Sequence, residues 1–272
     1  MATAEVNGTT LHYTEVGDGP LCLVMHGGLG YDQTIYRTLD PLAERLHLVY
    51  YDHRGNGRSG RPPIETLTMA QLADDAAALA DHLGAEQFLL LGHSYGGFIA
   101  QEFAIRHPDR LTGLILLATT PGQLDEGEEP APEGPPIPPE FLALMGNPPE
   151  TDEQYEAGLH ELFPAYMHSV DAADVLPHLE GTIYDAAAMR HGFEILAQWS
   201  SVDRLDQVTV PVFLGVGRHD AFTAFPQSYR IAGRLPEAEV VVYEDSGHFP
   251  WLEEPGHVFA SINAWLTQHD LA

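Results

Sequence analysis

The feature that most constrains the fold of this 272-residue chain is an alternation of short apolar runs with helical patterns. Such alternation is typical of βαβ units, in which helices connect the parallel strands of one sheet. Because parallel sheets are covered on both faces, we expect an α/β fold with a mostly parallel central sheet and helices on both faces. The predicted buried strands are Leu21–Met25, His47–Tyr51, Phe88–Leu91, Leu114–Ala118, Val210–Val216 and Val240–Tyr243.

The segments around these runs predict a hairpin and three clear helices. Residues 9–16 and the segment before them are typical of an opening hairpin. In the first helix, apolar residues recur at helical spacing until Gly84, a residue common just beyond helix C-termini. Pro108 ends the second helix. The predicted helices are Met69–Leu83, Tyr95 to about His107, and about Gly256–Gln268.

Residues 121–199 interrupt the alternation. Residues 121–138 are dense in Pro, Gly and acidic side chains, which favours a solvated loop. From Phe141 onward the apolar spacing predicts short helices over the sheet. The expected organisation is therefore a core domain formed by residues 1–120 and 200–272, with residues 121–199 inserted as a helical cap, or lid.

Charge excludes several classes of partner and chemistry. The chain has 40 acidic and 12 basic residues, a formal net charge of −28, and such a surface repels nucleic acid and anionic membranes. All the basic residues are Arg, so Schiff-base, pyridoxal-phosphate and Walker-lysine chemistry is excluded. Codon usage and adaptation to salt or acid are both compatible with the absence of Lys.

The cysteine content and the N-terminus indicate the compartment. Cys22 is the single cysteine and lies in an apolar run, so we expect a buried thiol and no intrachain disulfide. The N-terminus lacks a basic stretch followed by an apolar one, and no run approaches a membrane span. We therefore expect a cytoplasmic protein that acts on a small-molecule or short-peptide substrate. Self-association stays open.

The segment Gly92-His93-Ser94-Tyr95-Gly96 is the strongest motif in the chain. It follows a predicted buried strand and opens a predicted helix, which is the context of a nucleophile elbow. In that sharp turn, side chains two residues before and after the serine would collide, and glycine removes them. The pattern predicts Ser94 as a nucleophile.

A serine nucleophile needs a base and an acid that orients the base. In enzymes with a nucleophile elbow, the acid and then the histidine follow the serine along the chain, each at the carboxyl end of a late strand. Val210–Val216 leads to Asp220, and Val240–Tyr243 leads to His248. We expect Asp220 and His248 to complete a triad, with Asp203 and Asp245 as lesser acid candidates.

The loop His26–Gly30 follows the first buried strand and is rich in glycine. We expect it to approach the serine closely and to supply backbone donors for a developing oxyanion. The N–H of Tyr95 offers one donor, and the N–H of Gly28, or alternatively of Leu29, offers the second.

With these motifs, the chain resembles the α/β-hydrolase fold family outside residues 121–199. Three segments are most similar to its proline iminopeptidase branch: His26–Gly30, Tyr51–Ser59 and Ser246–Pro255. The resemblance implies acyl transfer through Ser94, with no metal and no organic cofactor. The chain departs from that branch at two positions. Proline iminopeptidases usually have Pro at the position of Leu29 and Trp at the position of Tyr95.

The substrate is left open by these observations. A small carboxylic ester, lactone or related carbonyl compound is the first hypothesis, and an N-terminal peptide amide is the second. Because iminopeptidases bind the substrate's α-amino group through cap glutamates, Glu161 or Glu194 could serve that purpose. We also expect Phe249 and Trp251 to shape the pocket.

Two alternative hypotheses about the function assign the chain to other classes of protein. A lyase or oxygenase can keep the same fold and triad, and its product would contain no added water. A binding protein that keeps only the fold normally loses a triad member, whereas all three positions are filled here. A dehalogenase or epoxide hydrolase would require Asp at the position of Ser94.

Overall fold

The computed structural model describes residues 2–123 and 134–272. Residues 124–133, the middle of the predicted solvated loop, lie outside the described residues. Within the described part, eight strands form one sheet. They are β1 (Ala2–Val6), β2 (Thr9–Val16), β3 (Leu21–Met25), β4 (His47–Tyr51), β5 (Phe88–His93), β6 (Leu111–Leu117), β7 (Val212–Gly217) and β8 (Ala238–Tyr243).

The sheet is mostly parallel, as predicted. Its strand order is β1-β2-β4-β3-β5-β6-β7-β8. The predicted opening hairpin is present, because β1 pairs with β2 antiparallel and β2 in turn pairs with β4 antiparallel. All other neighbours pair in parallel. Antiparallel pairing is therefore confined to one edge of the sheet.

Helices occupy the connections. Each of the three predicted helices is present, and Thr68 caps the N-terminus of the first, because its side chain accepts a hydrogen bond from the Gln71 N–H. The α-helices are α1 (Met69–His82), α2 (Tyr95–Arg106), α3 (Pro139–Gly146), α4 (Asp152–Leu162), α5 (Ala172–Val175), α6 (Ala186–Leu196), α7 (Pro226–Ala232), α8 (Pro250–Glu253) and α9 (Pro255–Gln268).

The direction of the crossovers distributes the helices over both faces of the sheet. The connection from β3 to β4 runs toward the hairpin edge, whereas the connection from β5 to β6 runs the opposite way. Because such crossovers are right-handed, these two connections cover opposite faces. Accordingly, α1 packs on α2, while α9 packs against the 3₁₀ segment Thr34–Glu44 that joins β3 to β4.

The central strands are buried on both faces. Every residue of β5 and β7 is buried, and Cys22 in β3 is fully buried, as expected for a structural thiol. The segment between β6 and β7 contains α3 to α6, in agreement with the short helices predicted there. Among the described residues, no helix is both long and apolar enough to cross a membrane.

Candidate active site

The candidate site lies where the sheet connections change direction. Strands β3 and β5 are neighbours, with Met25 paired to Gly92 near their carboxyl ends. Since the following connections leave toward opposite edges of the sheet, a crevice opens between the two strand ends. The His26–Gly30 loop follows β3 and Ser94 follows β5, so both segments border this crevice.

Ser94 has a backbone conformation that non-glycine residues rarely adopt. Its φ is 51° and its ψ is −119°, and it occupies the single position between β5 and α2. The turn is held by a hydrogen bond from the Ser94 N–H to the Leu117 carbonyl at 3.0 Å, and by one from Thr119 Oγ1 to the Ser94 carbonyl at 3.0 Å.

The glycines flanking Ser94 have backbone directly beside them. A Cβ on Gly92 would lie 2.5 Å from the Gly96 carbonyl oxygen, and a Cβ on Gly96 would lie 2.0 Å from the Met25 carbonyl oxygen. The requirement for glycine two residues either side of the serine therefore has two sources. One is the turn itself, and the other is contact with the neighbouring strand β3.

Asp220 and His248 form a buried pair. His248 Nδ1 lies 2.9 Å from Asp220 Oδ2, and the two side chains are 4% and 0% exposed. The carboxylate can only accept, so Nδ1 carries the proton and Nε2 is left free to act as a base. The His248 backbone N–H donates to the Tyr166 carbonyl at 2.7 Å.

Asp220 is held in its ionised form. Burial alone would raise the pKa of this carboxyl, but the charge of His248 and hydrogen bonds from His248 and Thr223 together lower it to about 2. Thr223 donates through Oγ1 at 2.6 Å and through its N–H at 3.0 Å, and the Phe222 N–H donates at 2.8 Å.

A close approach of two loops brings the acid to the histidine. A Cβ on Gly217, the last residue of β7, would lie 2.0 Å from the Gly247 carbonyl oxygen. The His219 N–H donates to the Ser246 carbonyl at 2.9 Å across the same gap. Glycine at the end of β7 therefore allows the loops after β7 and β8 to lie against each other.

Ser94 and His248 line one pocket of about 150 Å³. The oxyanion candidates Gly28, Leu29 and Tyr95 line it as well. The rest of the lining is almost entirely apolar or aromatic, and no described lining residue carries a carboxylate. The remaining members are Phe98, Phe141, Leu144, Tyr155, Leu159, Tyr166, Met189, Phe193, Leu196, Phe222 and Thr223.

The His26–Gly30 loop is fixed by hydrogen bonds at several of its peptide groups. The Gly27 N–H donates to the Tyr36 hydroxyl at 2.6 Å, and the Gly30 carbonyl accepts from the Asp185 N–H at 2.7 Å. Within the described residues, the N–H groups of Gly28 and Leu29 donate to no protein acceptor. Both N–H groups are therefore available to a ligand in the pocket.

His93 links this loop to His248 through the protein interior. Its Nε2 donates to the His248 carbonyl at 2.9 Å, so Nδ1 must accept from the Tyr36 hydroxyl at 2.6 Å. Burial, followed by the charge of His248, holds the pKa of His93 well below its usual range, so the ring is neutral. A continuous path of hydrogen bonds thus runs from Gly27 through Tyr36 and His93 to the backbone of His248.

The lesser acid candidates and the other histidines near the strand ends do not form part of this pair. The His219 ring stacks on the His168 ring with centroids 3.4 Å apart, and the histidine bonded to Asp220 is His248. Asp203 and Asp245 are exposed. His53 Nε2 donates to the His26 carbonyl at 3.1 Å, so these two rings hold each other's backbone.

The aromatic residues expected to shape the pocket do not line it. Phe249 and Trp251 are each only 1% exposed. Both rings lie in the core, where Phe249 precedes the short helix α8 and Trp251 is its second residue. There Phe249 lies beside His93, with ring centroids 4.9 Å apart, and Trp251 donates to Thr38 Oγ1 at 2.8 Å.

The two candidate cap glutamates also lie outside the pocket lining. On α4, Tyr155 and Leu159 face the pocket, and the helical period places Glu161 on the exposed side. On α6, Phe193 faces the pocket, whereas the next residue, Glu194, has a side chain that is 72% exposed.

Three residues that no sequence motif indicated complete the site. The Tyr155 hydroxyl donates to the Leu29 carbonyl at 2.5 Å, Thr223 supports Asp220, and the Tyr166 ring lies 5.2 Å from His248. Thr223 lies only three residues after the acid, so its contact with Asp220 could be predicted from the sequence. Tyr155 and Tyr166 approach the site only through tertiary packing, and the local sequence carried no indication of it.

Comparison with known proteins identifies the family. Residues 20–255 match the family model described as alpha/beta hydrolase fold. The chain belongs to this family. Among the described residues of this α/β hydrolase, no group of three or more His, Cys, Asp or Glu side chains is arranged to hold a metal ion.

The similar proteins are hydrolases. The chain is 27% identical to the proline iminopeptidase PfmaB of Pestalotiopsis fici, over 96% of this chain and 98% of that protein. It is 28% identical to a pimeloyl-[acyl-carrier protein] methyl ester esterase of Aeromonas hydrophila, over 88% and 92% of the two chains. Est816, solved as an N-acyl homoserine lactone degrading enzyme, superposes with a TM-score of 0.75 at 25% identity, covering 97% and 99%. The protein is therefore an enzyme of the α/β hydrolase fold.

Proposed function

We propose that this enzyme is a serine hydrolase that cleaves a small carboxylic ester or lactone through an acyl-enzyme on Ser94. The observation that carries the proposal is the pocket itself. One apolar cavity is lined by Ser94, by His248 with its buried partner Asp220, and by the unengaged peptide N–H groups of Gly28 and Leu29.

In the first half of the proposed reaction, His248 Nε2 takes the proton of Ser94 as Oγ attacks the substrate carbonyl carbon. Asp220 stays ionised, fixes the tautomer of His248 and stabilises the imidazolium that forms. The negative charge on the carbonyl oxygen is held by the N–H of Tyr95, which opens α2 and has no intrahelical acceptor, and by that of Gly28 or Leu29. Each donor contributes about 3 kcal/mol to lowering the barrier.

In the second half, the imidazolium of His248 protonates the departing alcohol oxygen, and the C–O bond to it breaks. The acyl group stays on Ser94. A water molecule then gives its proton to His248 Nε2 and attacks the acyl carbon, which releases the acid and regenerates the serine. No cofactor takes part in this sequence.

The pocket lining supports an ester or lactone over a peptide amide. An N-terminal peptide substrate carries an ammonium group, and burying it in an apolar pocket is costly unless a carboxylate pairs with it. The described lining residues include no carboxylate, and Glu161 and Glu194 lie outside the pocket.

The second candidate is an aminopeptidase of the proline iminopeptidase type. The similarity to PfmaB over nearly the whole of both chains favours it. In that reaction the same groups would act on an N-terminal amide bond, and His248 would protonate the departing amine.

We further propose that residues 121–199 form the cap of a core built from residues 1–120 and 200–272. In support, α3 to α6 all lie between β6 and β7, and they supply Phe141, Tyr155 and Met189 to the pocket. The walls of the pocket therefore come from both proposed parts, with the reacting groups on the core and much of the apolar surface on the cap.

Labelling with a fluorophosphonate tests the nucleophile. The unmodified enzyme should be labelled at Ser94, and both Ser94→Ala and His248→Ala should abolish or strongly slow the labelling. Persistence of labelling in Ser94→Ala would overturn the proposed mechanism. Ser200→Ala is the matched control, since Ser200 is absent from the pocket lining, and it should be labelled as well as the unmodified enzyme.

A substrate panel separates the two candidate reactions. p-Nitrophenyl esters are compared with proline and alanine naphthylamides at equal concentration. An ester hydrolase should turn over the esters and show no preference for a free α-amine. A large preference for the naphthylamides with a free α-amine would replace the ester proposal by the peptidase one.

A further inference from the structure

A single carboxylate, that of Glu253 at the end of α8, bonds to two segments that are far apart in the sequence. Its Oε1 accepts from the Gly247 N–H at 2.5 Å, in the loop that follows β8. Its Oε2 accepts from the N–H groups of His168 and Ser169, each at 2.6 Å, between α4 and α5. One side chain therefore joins residues 166–169 of the proposed cap to the loop after β8.

The same two segments also meet directly beside the base. The His248 N–H donates to the Tyr166 carbonyl at 2.7 Å, and the Tyr166 ring lies 5.2 Å from the His248 ring. A Cβ on Gly247 would lie 2.4 Å from the Tyr166 carbonyl oxygen, so glycine permits this approach. The N–H groups of Gly247 and His248 thus bond to Glu253 and to Tyr166. The main chain that carries the His248 side chain is therefore held at two consecutive peptide groups.

Residues 166–169 contact the loop of the acid as well. The His168 ring stacks on the His219 ring, with centroids 3.4 Å apart and 9° between the ring planes. His219 immediately precedes Asp220 in the loop after β7. The segment bonded to Glu253 therefore lies against both loops that carry the partners of Ser94.

The contacts of Glu253 require a carboxylate. An ionised carboxylate has two accepting oxygens and no donor, so it can accept from Gly247 on one side and from residues 168 and 169 on the other. Hydrogen bonds to a charged acceptor are also about twice as strong as neutral ones. An amide of the same size has one accepting oxygen and an NH₂ group that only donates, so it can satisfy one side alone.

The position of His248 determines how fast the reaction can run. Its Nε2 has to reach the hydroxyl proton of Ser94 and then the leaving group. A displacement of about 1 Å at a reacting group can slow a reaction by about a hundredfold. A contact that fixes the main chain at Gly247 and His248 therefore acts on the chemical step.

We propose that Glu253 is a positioning residue, whose carboxylate holds His248 within reach of Ser94 by fixing the loop after β8 against residues 166–169. This inference rests on the proposed function, since it assigns a residue that positions the base of that reaction. Glu253 is absent from the described lining of the pocket, so it acts through His248 rather than on the substrate.

Glu253→Gln tests the proposal. The substitution keeps the size of a half-buried side chain and replaces one accepting oxygen by a donor. Glu254→Gln is the matched control, because Glu254 is also half-buried and accepts from the Asp245 N–H and the Ser246 hydroxyl in the same loop. kcat and KM are measured on one p-nitrophenyl ester. kcat is expressed per mole of enzyme that a fluorophosphonate labels at the end point, which leaves out unfolded protein.

In Glu253→Gln, kcat should fall by about tenfold to a hundredfold, while KM should change by less than about twofold. The rate of fluorophosphonate labelling should fall by a similar factor, because that reaction also needs His248. Glu254→Gln should keep both the kcat and the labelling rate of the unmodified enzyme.

A normal kcat and labelling rate in Glu253→Gln, or an equal fall in Glu254→Gln, would overturn the positioning role and leave the proposed hydrolysis intact. A rise in KM with normal kcat would overturn it too, since Glu253 would then act on the pocket wall alone. Absence of both ester turnover and fluorophosphonate labelling in the unmodified enzyme would instead overturn the proposed function.

Discussion

The hydroxyl of Tyr155 on helix α4 donates a hydrogen bond of 2.5 Å to the carbonyl of Leu29 in the oxyanion loop. Tyr155 is 3% exposed and also lines the pocket. Burial and nearby tyrosines raise the pKa of this hydroxyl well above its usual value, so it stays a donor at every relevant pH. One side chain thus joins the wall that meets the substrate to the loop that would hold the oxyanion.

Removal of this hydroxyl should slow the chemical step more than it weakens binding. In Tyr155→Phe the ring stays in the pocket wall, but the Leu29 peptide loses the bond that orients it. One neutral hydrogen bond contributes about 1 kcal/mol, so kcat should fall by about fivefold to tenfold with little change in KM. Steady-state kinetics on one ester provides both constants.

Tyr184→Phe is the matched control for Tyr155→Phe. The ring of Tyr184 packs edge-on against Tyr155 with centroids 5.7 Å apart, and its hydroxyl lies 3.3 Å from His160 Nε2. The Tyr184→Phe substitution should leave kcat unchanged. A rise in KM with normal kcat in Tyr155→Phe would show that Tyr155 acts on binding alone.

The sheet was predictable from sequence because its strands are local apolar runs of fixed length. Strand β3 was predicted residue for residue, and the motif around Ser94 correctly indicated a sharp turn between β5 and α2. The pocket was less predictable, because its wall depends on how α3, α4 and α6 fold over the sheet. The exposure of Glu161 and the burial of Trp251 follow from helix phase and chain direction, which composition does not specify.

Asp220→Asn should lower kcat by about 10⁴-fold, because an amide cannot stabilise the imidazolium and permits the wrong tautomer of His248. Fluorophosphonate labelling should slow in parallel. Asp245→Asn is the control, since Asp245 is exposed and its backbone N–H, not its carboxylate, bonds to Glu254. Equal losses in the two variants would contradict the assignment of the acid.

The same residue should also affect stability in acid. The pKa of Asp220 is lowered to about 2 from 3.8, so the ionised carboxylate favours the folded state above pH 3.8. That contribution is lost as the pH falls through about 2. The difference in unfolding free energy between the unmodified enzyme and Asp220→Asn, measured by denaturant titration, should therefore shrink over this interval. A difference that is constant with pH would show that the carboxylate is not the source of the effect.

Gly96→Ala should destabilise the fold by more than about 2 kcal/mol, because a buried overlap with backbone has no simple relief. The added Cβ would lie 2.0 Å from the Met25 carbonyl oxygen and 2.6 Å from that of His26. Gly256→Ala is the matched control, since nothing lies within 4 Å of its Cβ position in α9, and it should be neutral or stabilising by up to about 1 kcal/mol. Thermal unfolding measures both, and equal melting temperatures for the two variants would contradict the close approach of β3 to the turn.

Tyr36→Phe should reduce both stability and kcat. Its hydroxyl accepts from the Gly27 N–H and donates to His93 Nδ1, so removal leaves a buried donor and a buried acceptor unpaired at a cost of about 2 to 4 kcal/mol. Gly27 precedes a proposed oxyanion donor, and His93 holds the His248 backbone. Loss of the two hydrogen bonds should therefore displace both the oxyanion loop and the catalytic histidine, which lowers kcat. Tyr50→Phe removes a hydroxyl that donates to Asp40 and should reduce stability with kcat unchanged in the folded fraction. A normal kcat in folded Tyr36→Phe would show that the hydrogen-bond path through Tyr36 and His93 contributes to stability and not to catalysis.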